Sequence, residues 1–220
     1  MLQISKLSVS YGDKSVLSGF KLTLGEGTIC VLSGANGSGK STLLSAVSGI
    51  IPEHISAEVT GDIRFNDIDL RSIPLKEKFH YLWHAGSDTD TQFFFPTCEA
   101  ELAFALENKA IPAAEISTRI SEAAAYFGLS HAMQSSPLTL SGGQKRLLLC
   151  AVGKALAPGL YLLDEPASGL SGASLELLCR WLNQLKAGGS IVMIAEHHPA
   201  VISMADVVIQ MERAQHDPSG

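Results

Sequence analysis

The stretch Gly34-Ala35-Asn36-Gly37-Ser38-Gly39-Lys40-Ser41 decides how the rest of the chain is read. It satisfies the pattern G-x-x-x-x-G-K-[ST] in full. It follows the apolar run Thr28 to Ser33, which has the composition of a strand buried on both faces. It opens a predicted helix from Ser41 to a terminating Gly49. Glycines in such a turn let backbone N–H groups close on a phosphate, and the helix N-terminus adds favourable partial charge. Lys40 is then placed to reach the outer phosphates of a nucleotide, and Ser41 to bind Mg²⁺.

Working outward, strand patterns lie on both sides of this loop. Leu2 to Val9 alternates apolar and polar residues, with a slip between Ile4 and Leu7. Phe20 to Leu24, Val59 to Phe65 and Phe79 to Trp83 read as further strands. From Thr97 to Phe127 the period becomes helical, and a third helix, Leu147 to Leu156, is closed by Pro158. Strands then return at Leu160–Leu163, Ile191–Ala195 and Val207–Met211, with a helix from Leu175 to Lys186 between the first two. Alternating strands and helices at both ends, with helices alone in the middle, predict an α/β parallel sheet and a helical lobe. We expect one domain over 1–220. Its core covers about 1–86 and 158–212, its helical subdomain about 87–157, and 213–220 is a loose tail.

The chain has 220 residues, 46% apolar and 17% charged, which is the composition of a folded domain. Its net charge of -6 argues against a general nucleic-acid coat. Cys30, Cys98, Cys150 and Cys179 lie far apart with no CxxC pair, which suits a reducing cytosol better than a disulfide or zinc scaffold. The most apolar run, Leu147 to Leu163, is cut by Lys154 and Pro158 and falls short of a membrane span. Met1 to Lys14 lacks the basic head and apolar stretch of a signal peptide. A mean hydropathy of +0.21 points to a buried sheet or to a surface that meets a partner.

Two more motifs lie downstream. Leu160-Tyr161-Leu162-Leu163-Asp164-Glu165-Pro166 is an apolar strand ending in two carboxylates. Ligands of open α/β sheets sit beyond the carboxyl ends of strands, so Asp164 is placed to hold Mg²⁺ through water and Glu165 to polarise an attacking water. Leu140-Ser141-Gly142-Gly143-Gln144 precedes a helix, with Ser141 a good N-cap and two glycines exposing the first N–H groups.

With Glu196-His197 after a strand, these motifs resemble, in order and spacing, the ATP-binding subunit of ATP-binding-cassette (ABC) transporters from about Leu2 to Glu212. The resemblance implies the P-loop cassette fold: a parallel sheet core, an antiparallel β lobe and a helical subdomain. It implies ATP and Mg²⁺, with Gly34, Ala35, Asn36, Gly37, Ser38, Gly39, Lys40, Ser41 and Thr42 holding nucleotide and Tyr11 stacking on adenine. Ser41 and Asp164 hold the metal, and Glu165 and His197 are catalytic. Ser141, Gly142, Gly143 and Gln144 face the γ-phosphate bound by a second protomer, identical or related. The implied partners are integral membrane subunits, with no nucleic acid, and the implied place is the cytoplasmic face of the membrane.

Two departures stand out. Where the family has a metal-touching glutamine this chain has His84, with Gln92 as the alternative; His84 is expected to protonate near pH ~6.5. Ser171 replaces the aspartate that usually closes the loop after Glu165. The segment Gln92 to Asn108 (QFFFPTCEAELAFALEN) is similar to the energy-coupling-factor group, which includes cobalt-type importers of vitamins and metal ions. Phe93 to Phe95 are then expected near the groove that receives a membrane subunit. The alternatives are another ABC importer or exporter, or a soluble cassette ATPase.

Overall fold

The computed structural model describes residues 1–212. The expected tail at 213–220 lies outside them. The chain begins with β1 (Leu2–Tyr11) and β2 (Lys14–Leu24), an antiparallel hairpin turned at Gly12-Asp13, where Gly12 takes φ +55°. After β3 (Ile29–Ser33) come α1 (Lys40–Ser48) and the short α2 (Ile50–Glu53). Strand β4 (Glu58–Phe65) pairs with β1 and with β5 (Ile68–Asp69), completing an antiparallel sheet of order β2-β1-β4-β5. The slip in β1 is a bulge at Lys6, which adopts φ +52°. Gly61 of β4 accommodates it: a Cβ there would stand 2.5 Å from the Lys6 carbonyl oxygen.

The second sheet is parallel. It contains β6 (Leu82–Ala85), β7 (Leu160–Asp164), β8 (Ile191–Ala195) and β9 (Val207–Gln210) in the order β6-β7-β8-β3-β9. Strands β7 and β8 are buried at every residue, as a sheet covered on both faces requires. Alternation sends Tyr161, Leu163, Val192 and Ile194 into one core, and Leu160, Leu162, Ile191 and Met193 into the other. The first core is closed by α3 (Cys98–Asn108), α4 (Ala113–Tyr126), α5 (Gly142–Leu156) and α6 (Gly172–Ala187); the second by α1 and the antiparallel sheet. The last helix among the described residues is the single turn α7 (Pro199–Ile202). Among the described residues no helix is long and apolar enough to cross a membrane.

Several boundaries differ from expectation: β2 starts at Lys14 rather than Phe20, and α5 at Gly142 rather than Leu147. The strand expected at Phe79–Trp83 is β6, three residues later, because Leu75–His80 forms a 3₁₀ turn. Pro74 sets its entry with φ -56°, and the Phe79 and His80 rings stack at 4.6 Å. The helix expected from Leu175 already starts at Gly172.

Candidate functional site

The loop leaving β3 is shaped by glycine. Gly34 takes φ +145°, and a Cβ there would lie 2.3 Å from the Met211 carbonyl oxygen, just past β9. Gly37 and Gly39 take φ +80° and +93°. Gly39 is the N-cap of α1, and with neither a side-chain cap nor an acidic residue in the first turn, that helix end keeps its positive partial charge. Lys40 Nζ bridges the loop mouth, donating to the carbonyls of Gly34 (2.7 Å) and Ala35 (3.1 Å). Ser38 Oγ is buried within the loop without a protein partner. Such a cradle, with an uncapped helix end and an ammonium across it, fits a polyphosphate. Thr42 is partly buried in the first turn of α1. Tyr11 is partly buried at the end of β1.

Asp164 ends β7 and is 5% exposed. Burial raises its proton affinity and the Ser41 hydroxyl opposes that rise, as do the Ser87 hydroxyl and Lys40. Hydroxyl and carboxylate oxygens side by side form the hard donor set that Mg²⁺ selects, so Ser41 and Asp164 fit that ion. Glu165 follows at φ +50°, its amide donating to the Ala195 carbonyl at 2.9 Å. A non-glycine residue in the left-handed region costs of the order of 1–3 kcal/mol, and such strain collects at working sites.

Glu196, 1% exposed at the end of β8, was missed as a functional residue in the sequence reading, which used only the neighbouring histidine. Its Oε2 accepts from Ala167 N at 2.9 Å, and its Oε1 from His197 N at 2.8 Å and His198 N at 3.1 Å. One carboxylate thus ties the loop after Glu165 to the segment carrying His197, whose side chain is 79% exposed. The available signal was a charged residue closing a fully apolar strand. His198 caps α7, its Nδ1 accepting from Ala200 N.

The Ser141–Gln144 turn stands on the helical lobe. Ser141 and Gln144 form a capping box: Ser141 Oγ accepts from Gln144 N at 3.3 Å, and Gln144 Oε1 from Ser141 N at 3.0 Å. A Cβ on Gly143 would lie 3.2 Å from the Gly169 carbonyl, so that glycine has a packing reason. Gly142 has none, for a Cβ there meets nothing within 4 Å. Ser171 is the N-cap of α6 without a side-chain bond.

His84 lies within β6 rather than in a loop beyond it, paired with Leu162. Burial pushes its imidazole down to about 4, which corrects the expected titration near 6.5. Gln92 turns its amide back on its own loop: Oε1 accepts from Gly86 N at 2.8 Å, and Nε2 donates to the carbonyls of Gly86 (3.1 Å) and Asp88 (2.6 Å).

Residues 17–168 match the ABC transporter family model, and the chain belongs to that family. A protein of Saccharolobus solfataricus named as an ABC transporter ATP-binding protein is 32% identical over 97% of this chain and 41% of its own length. A second protein of that organism, of the same description, is 32% identical over 96% of this chain and 40% of its own. The chain thus spans about two fifths of the length of these curated relatives. Among solved structures, cbiO1 from Clostridium perfringens, described as part of the ABC transporter complex cbiONQ, superposes with a TM-score of 0.77. It is 25% identical over 96% of this chain and 84% of its own.

Proposed function

We infer that the chain binds and hydrolyses ATP to power import of a micronutrient, a vitamin or transition-metal ion, through separate membrane subunits of the energy-coupling-factor type. The observation that carries the ATPase reading is the meeting of Lys40, Ser41, Asp164 and Glu165 where the parallel strands end. The α1 N-terminus and Lys40 bind the phosphates, and Ser41 and Asp164 hold Mg²⁺. The metal, when bound, neutralises charge on the phosphate oxygens. Glu165 accepts a proton from the water that attacks the γ-phosphorus, the bond to the β-γ bridging oxygen breaks, and ADP leaves. His197 steadies the transferred phosphate.

Gly142 supports a paired arrangement: the first turn of α5 omits a side chain where this chain leaves open space. A phosphate held by a second cassette accounts for that choice. The likeness of Gln92–Asn108 to the energy-coupling-factor group and the cbiO1 superposition support the import reading. A peripheral position on the cytoplasmic face follows from that reading.

Glu165→Gln is the decisive variant. With the general base lost, turnover of the assembled complex falls ~10²-fold or more while nucleotide affinity stays within a few-fold of wild type. Lys40→Ala, by contrast, removes the nucleotide binding itself. Turnover within a few-fold of wild type in Glu165→Gln excludes that residue as the base.

A further inference from the structure

We propose that a cavity at the C-terminal end of α1 binds a small phosphate monoester through Lys78 and Arg71. The cavity, of about 250 Å³, lies among α1, α2, β4 and the 3₁₀ turn Leu75–His80. It is separate from the nucleotide loop, which sits at the other end of α1, about 14 Å away along its nine residues. Its basis is a buried cation left without a partner. Lys78 is 4% exposed, and among the described residues its ammonium donates no hydrogen bond and forms no ion pair. Gly49 makes the room for it, since a Cβ there would overlap Lys78 Nζ. Burial disfavours the charged form of Lys78 and lowers its proton affinity; Glu53 and Asp69 act the other way, and Arg71 adds to the lowering. An ammonium taken out of water without an acceptor is costly, and an anion in the cavity supplies that acceptor.

Arg71 lines the same cavity. It donates from Nη1 to the Gly61 carbonyl at 2.5 Å and from Nη2 to the Val59 carbonyl at 3.0 Å. The guanidinium is thereby fixed along β4 with N–H groups to spare. No carboxylate of the chain neutralises Lys78 by contact. Asp69 Oδ1 accepts from Arg71 N at 2.9 Å, and Glu53 lines the cavity as an exposed residue. The end of α1 adds a negative partial charge of only about half a unit. A phosphate brings more acceptor oxygens to these donors than a carboxylate does, and lysine binds phosphate well as a point charge. The rest of the lining, Ala46, Ile51, Pro52 and Val59, is apolar and suits a short carbon chain on the ester oxygen.

The test uses the full chain carrying Lys40→Ala, so that the nucleotide loop does not hold the probe. Butyl phosphate is titrated at millimolar concentration while the side-chain ¹H–¹⁵N signals of lysine are followed by nuclear magnetic resonance. The Lys78 ammonium signal should shift saturably. Adding Lys78→Met, which is apolar and of similar length, should keep the fold and weaken binding at least about 10-fold. Adding Glu53→Gln instead should tighten binding about threefold, because a like charge leaves the cavity. That second variant keeps Lys78 and so tests the site even where Lys78→Met does not fold. Absence of saturable binding, or an affinity in Lys78→Met within about twofold of its parent, overturns the proposal. So does a Glu53→Gln chain that binds no more tightly than its parent. None of these outcomes bears on the ATP reading, since the nucleotide loop is disabled throughout.

Discussion

Glu196 shows how much one side chain can organise. Three backbone N–H groups from two loops donate to its carboxylate, in a setting 1% exposed. Charge-assisted bonds of this kind are about twice as strong as neutral ones, and so fix the His197 backbone relative to the loop after Glu165. His84 illustrates the reverse, a residue whose setting removes a role. Burial holds its imidazole down to about 4, so it is uncharged throughout neutral pH. Wild type and His84→Gln should therefore give pH–rate profiles of the same shape between pH 6 and 8. A steeper acid loss in wild type would return His84 to the site. Stability carries the sign of the shift. Between pH 6.5 and about 4 the unfolded chain takes up a proton that the folded His84 refuses, so acidification favours unfolding. The melting temperature of wild type should fall relative to His84→Gln across that window and match its trend above pH 7.

At the scale of elements, the join between β6 and α5 depends on a missing methyl group. Trp83 Nε1 donates to the Leu149 carbonyl at 3.1 Å, and its ring lies against Gly153 of α5. A Cβ at Gly153 would stand 2.5 Å from Trp83 Cδ1, and the Gly153 carbonyl also receives the Tyr161 hydroxyl at 3.3 Å. Gly153→Ala gains helix propensity of about 1 kcal/mol but must displace an indole in a close-packed core, at about 1–3 kcal/mol. A net loss of up to about 2 kcal/mol in urea unfolding is expected; a gain in stability shows that the indole moves freely. Nothing in the local pattern around Gly153 announces this contact, because Trp83 is 70 residues away in the chain. The phosphate loop, the apolar strands and the Ser141 cap were legible because their physics is local: glycine φ angles, buried runs and a capping spacing. The Glu196 junction was not, since it depends on atoms distant in sequence.

For the whole molecule, the proposed import function requires an exposed surface that a membrane subunit can grip. Phe94 is 81% exposed and Phe104 is 48% exposed, while Phe79, Trp83, Phe93 and Leu149 line the same groove of about 190 Å³. Phe93 to Phe95, expected near the groove that receives a membrane subunit, separate by depth. Phe93 packs on the core, Phe95 stacks on Phe104 at 4.6 Å, and Phe94 points to solvent. Glu101, 8% exposed, holds the segment by accepting from Phe94 N at 2.5 Å and Phe95 N at 2.6 Å. The Phe94 backbone is therefore fixed while its ring is offered outward. A rigid exposed aromatic is the form that dominant interface residues take, each contributing about 2 kcal/mol or more. Phe94→Asp should weaken capture by the co-expressed membrane subunits at least 10-fold. It should leave the isolated chain's unfolding free energy within about 0.5 kcal/mol, as for other exposed substitutions. Phe93→Asp, which sets a charge against the core in place of a partly buried ring, should instead destabilise the chain itself. Equal capture by wild type and Phe94→Asp moves the interface away from this groove, and loss of folding in Phe94→Asp assigns the ring to the core.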